Sequence, residues 1–84
     1  MVYKFYNDPG HGWLAVKRAE LIRLGILDKI TGYSYQNGNT VYLEEDCDAT
    51  TFINRKDELG EPYSFDNRYT NKQSPIRYYQ SFKP

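Results

Sequence analysis

Tyr33-Ser34-Tyr35-Gln36-Asn37-Gly38-Asn39-Thr40-Val41-Tyr42-Leu43-Glu44-Glu45-Asp46-Cys47-Asp48 decides the fold. It reads as a strand, a tight turn, a second strand and an acidic step into a helix. Asn-Gly is the dipeptide that a two-residue type I′ turn prefers, because both central residues need positive φ. With Asn37 and Gly38 at the centre, Tyr35 is expected opposite Val41. Asp46 or Asp48 is expected to cap the following helix, where a carboxylate accepts from a backbone N–H that has no partner in the helix.

Upstream, residues 2–6 alternate, with Tyr3 and Phe5 on one side and Lys4 on the other, as a strand does. Asn7-Asp8-Pro9-Gly10-His11-Gly12 has turn chemistry. Residues 13–16 give a second strand, antiparallel to the first. A short helix is expected over 18–24, ended by Gly25. Downstream, a helix over 49–59 presents Phe52, Ile53, Lys56 and Leu59 on one face, and Gly60 with Pro62 stops it. Tyr63 and Phe65 mark a strand. A last strand is expected to place Ile76, Tyr78, Gln80 and Phe82 on one face, joined to the preceding strand as a hairpin across the polar residues 70–75. The order is ββα-ββα-ββ. It predicts one α+β domain over 1–84, an antiparallel sheet with two short helices on one face.

At 84 residues the chain has the length of one domain and a narrow stability margin. Eleven basic and eleven acidic residues balance. That argues against a general nucleic-acid binder, which carries a basic excess, and equally against an acidic DNA mimic. Nine tyrosines suit half-buried sheets and contact surfaces, since the ring buries while the hydroxyl stays wet. One cysteine cannot form an internal disulfide, no apolar run is long enough to span a bilayer, and no signal pattern opens the chain. A cytoplasmic protein without membrane attachment is expected.

Four carboxylates, Glu44, Glu45, Asp46 and Asp48, crowd around Cys47. They read as a strand end and a helix N-terminus favoured by the helix dipole, as a surface that meets a basic groove on a partner, or as a hard-cation site. The spacing is not that of an EF-hand loop, and neighbouring carboxylates on a strand face opposite ways, so no metal is expected. His11 sits between two glycines, accessible for acid–base work, but no Ser/His/Asp pattern completes a catalytic set. Trp13 reads as a core or half-buried anchor. Cys47 reads as a small buried residue. Arg68, Arg77, Tyr78 and Tyr79 interleave cations and aromatics, a composition that could hold single-stranded nucleic acid. No cofactor is expected, and an exposed edge strand could pair two copies.

Asp-Pro-Gly-His-Gly-Trp-Leu at 8–14, Leu-Gly-Ile at 24–26, Tyr-Ser-Tyr at 33–35 and Tyr-Leu-Glu-Glu-Asp-Cys-Asp at 42–48 resemble a group of small accessory proteins carried by bacteriophages and other mobile elements. The resemblance carries no activity or site. It implies a context in which such proteins bind a host or defence component, anti-CRISPR proteins among them. The leading expectation is therefore a non-enzymatic binding protein. It would inhibit or modulate a host or defence protein, or a nucleoprotein complex, through Glu44, Glu45, Asp46, Asp48, His11 and Trp13. The alternatives are a nucleic-acid-binding accessory protein using Arg68, Arg77, Tyr78 and Tyr79, and a small enzyme using His11.

Overall fold

The computed structural model describes residues 1–84. Strands β1 (Val2–Asn7) and β2 (Gly12–Lys17) form the first hairpin, and helix α1 (Arg18–Arg23) follows directly. A short 3-10 helix (Leu27–Lys29) leads to strands β3 (Tyr35–Asn37) and β4 (Thr40–Glu44), then helix α2 (Asp48–Glu58). Strand β5 (Ser64–Tyr69), a second 3-10 helix (Pro75–Tyr78) and strand β6 (Gln80–Ser81) complete the chain. No helix is long and apolar enough to cross a membrane.

The α+β class and the two helices on one face of the sheet are as the residue pattern predicts. Leu14 and Val16 of β2 stand opposite Leu43 and Val41 of β4. On that face they pack with Leu21 and Leu24 from α1 and its end, Ala49 and Phe52 from α2, and Tyr3 of β1. Burying each large apolar side chain contributes about 1.5–3 kcal/mol. Gly25 and Gly60 take positive φ where the two helices end, as left-handed terminators do.

The sheet order is β5-β1-β2-β4-β3-β6. It corrects the expected hairpin of the last two strands, which lie on opposite edges. The chain leaves β4 through α2 and returns at β5, parallel to β1. Residues 70–79 then cross the face without helices to reach β6 beside β3. Residues 75–78 are not extended, because Ser74 accepts from the Ile76 N–H and Pro75 begins a 3-10 turn. Ile76 is buried under this strap, whereas Tyr78 is exposed. Phe82 then tucks round the edge into the helix-face core.

The central hairpin also differs in register. Its turn residues are Gly38 and Asn39, with Asn37 opposite Thr40 and Tyr35 opposite Tyr42, not Val41. Gly38 has φ +59°, and no residue other than glycine has positive φ. A turn with one left-handed residue in first position has type II′ character and leaves Asn37 in the strand. This register keeps Tyr35 on the face of Tyr42 while Val41 faces the core.

Candidate functional site

Where the strap meets the ends of β2 and β4, the sheet carries a cleft of about 410 Å³ lined by His11, Trp13, Tyr33, Tyr35, Glu44, Asp46, Cys47 and Arg77. Asp8 fixes its first wall. Its carboxylate accepts from the Gly10 and His11 N–H groups, closing the β1–β2 turn. It also accepts from the Ser74 N–H at 2.9 Å and from Arg77 Nε and Nη2 at 2.7 and 2.8 Å. The Arg77 guanidinium and these backbone donors hold the Asp8 carboxyl well below the usual carboxylate range, against the opposing effect of burial. The turn that carries His11 and the strap that carries Arg77 thus share one buried anion.

Trp13 is 2% exposed. The Arg77 guanidinium lies 5.5 Å from its ring centroid, and the rings of His11 and Tyr35 lie 5.9 and 6.2 Å away. Glu44 is the cross-strand partner of Trp13 and shares its face. Glu45 leaves the chain on the other side. Its carboxylate lies over Gly12, where an added Cβ would come within 2.7 Å of both Glu45 Oε2 and the Phe5 ring. A side chain at Gly12 would have to displace the Phe5 ring and the Glu45 carboxylate, and the acidic pair is split between the two faces of the sheet.

Asp48 is not a helix cap and offers no surface. It is fully buried at the first position of α2, and the cap residue is Cys47, which makes no side-chain capping bond. The Asp48 carboxylate accepts from the Thr31 N–H and hydroxyl and from the Ser34 hydroxyl. Ser34 Oγ in turn accepts from the Glu44 N–H at 2.9 Å. These bonds tie the loop bearing Tyr33, which leads into Tyr35 of β3, to the end of β4. The Asp48 side chain takes the buried place, which leaves Cys47 exposed, contrary to expectation.

His11, Trp13, Glu44 and Asp46 therefore meet in one cleft, and Glu45 and Asp48 do not. Tyr33, Tyr35 and Arg77 complete it. The His11 imidazole makes no hydrogen bond or ion pair with any carboxylate. No group of three or more His, Cys, Asp or Glu side chains is placed as metal ligands. Of the four basic-aromatic residues, Arg68 and Tyr79 line a second cleft of about 290 Å³ with Tyr6, Tyr42 and Tyr69, whereas Arg77 lines the first cleft and Tyr78 lines neither. Arg77 is held by Asp8, Arg68 is paired with Asp66, Tyr79 lies against Tyr42 at 5.2 Å, and Tyr78 is 77% exposed. Compared with known proteins, the chain matches no protein-family model, no curated protein and no solved structure.

Proposed function

We propose that this chain is a non-enzymatic accessory binding protein whose cleft receives a basic segment of a protein partner, a host or defence component in the context its resemblance implies. One observation carries the reading. Asp28, Glu44, Glu45 and Asp46 are the carboxylates that make no hydrogen bond or ion pair, and two of them edge the same aromatic cleft. The other carboxylates serve the fold. A lysine or arginine entering the cleft would meet the exposed Tyr33 ring and the half-buried Tyr35 ring as well as the free carboxylates, while Trp13, buried beneath Arg77, forms the floor; both contacts favour a cation. Arg77 does not oppose it, since Asp8 neutralises its charge.

The test is capture of partners from host lysate by wild type and by the double variant Glu44→Lys/Asp46→Lys, each with and without nuclease. Asp46 is a sound test site because it caps nothing. The reading expects a protein that wild type retains after nuclease and the variant loses. Retention that disappears with nuclease, and that Glu44→Lys/Asp46→Lys improves, would point to the nucleic-acid alternative.

A further inference from the structure

The two edges of the sheet are unlike. β6 is two residues long and runs straight into buried Phe82. β5 is six residues long, borders only β1, and contains neither proline nor bulge to protect its outer side. Ser64 N–H donates to the Met1 carbonyl and Thr70 N–H to the Asn7 carbonyl. Even-numbered residues of β5 therefore turn their backbone groups toward β1. Phe65, Asn67 and Tyr69 turn theirs outward. Side chains alternate in the other sense: Phe65, Asn67 and Tyr69 share one face, and Asp66 and Arg68 share the other.

We propose that β5 pairs antiparallel with β5 of a second copy, across a twofold axis through Asn67, joining two six-stranded sheets into one of twelve strands. The backbone allows few registers, because residues with outward groups must lie opposite one another. Centring on Asp66 would set Asp66 against its own copy, and centring on Arg68 would set Arg68 against its own copy. Like charges directly opposite are destabilising. Centring on Asn67 sets Asp66 against Arg68 of the second copy, twice. It also sets Phe65 beside Tyr69 of the second copy, twice, on the other face. Asp66 and Arg68 already bond at 2.8 Å within one chain, so the pairing builds a network of four alternating charges. Phe65 and Tyr69 are 38% and 70% exposed, and the pairing gives both rings a neighbour.

The test is sedimentation equilibrium on the full chain. Wild type is expected to show a concentration-dependent dimer. Asp66→Arg and Arg68→Asp each place like charges opposite and should weaken it roughly tenfold or more. Mixed in equal amounts, these two variants should form a heterodimer, because the reversed charges then complement. The double variant Asp66→Arg/Arg68→Asp should restore the homodimer. Asn67→Pro removes an outward N–H that β1 does not use, and should give a folded monomer. Wild type that stays monomeric, a mixture no tighter than either single variant, or an Asn67→Pro variant still dimeric would each overturn the proposal.

Discussion

Asp8 joins parts of the chain that are far apart in sequence, and its neighbour in kind is Glu61. Glu61 accepts from Arg23 Nη1 and from Lys56 Nζ at 2.9 and 3.0 Å. Lys56 is buried; desolvation would pull its ammonium down, and Tyr3 and Glu61 more than offset that. Arg23 first and Lys56 second bring the Glu61 carboxyl from its ordinary 4.5 to about 2. A folded-state pKa below the unfolded value means stability that is present above the unfolded pKa and lost as pH falls through the folded one. The melting temperature should therefore decline on acidification from about pH 4.5 toward 2, and Asp8 should extend the decline further down. Thermal melts of Glu61→Gln across that range should start lower at neutral pH and fall less steeply, since glutamine does not titrate. Equal slopes for variant and wild type would remove Glu61 from the account. Asp8→Asn should lower the melting temperature at pH 7 more than Asp28→Asn does, because Asp28 has no partner to lose. Equal melts for the two would deny Asp8 its role. None of this partnering shows in sequence. Asp8 reads as a turn residue, which it is, but Ser74 and Arg77 lie more than sixty positions away.

Among the elements, those set by local chemistry were legible. Alternation marked β1, the Asn37-Gly38 turn marked β3 and β4, and Gly25 and Gly60 marked the ends of α1 and α2. The central turn shows where local chemistry leaves a choice. In Asn37-Gly38-Asn39, Gly38 can stand second in a type I′ turn or first in a type II′ turn. Which one forms depends on the faces of Tyr35, Val41 and Tyr42, a tertiary matter. The turn makes a prediction that separates the two. Gly38→Val should cost about 1 kcal/mol or more in denaturant unfolding, by forcing a β-branched residue to positive φ. Asn37→Ala should change stability by less than about 0.5 kcal/mol, because Asn37 is exposed and extended. A large loss for Asn37→Ala would return Asn37 to the centre of the turn. The strap was illegible for a related reason. Ile76 and Phe82 carry the apolar spacing of one strand, yet they enter different layers, and only the route of residues 70–79 over the sheet separates them.

Across the whole molecule, the helix face is the core, and the opposite face, partly covered by the strap, carries the candidate cleft. His11, Trp13, Glu44 and Asp46 were each legible as unusual residues. Their convergence was not, because it rests on the pairing of Trp13 with Glu44 and on Arg77 arriving from the strap. The protein contains one tryptophan, and it lies in the floor of that cleft. The Trp13 indole N–H therefore gives a single reporter whose signal, in a ¹⁵N-labelled sample, is distinct from any unlabelled partner. The most direct test is to add the captured partner at two salt concentrations and follow that signal in wild type and in Glu44→Lys/Asp46→Lys. The account predicts a shift of the Trp13 signal in wild type, an affinity that falls with salt, and a loss of roughly tenfold or more in the variant. A partner that binds while the Trp13 signal stays unmoved, or that binds the charge-reversed variant as tightly as wild type, would contradict it.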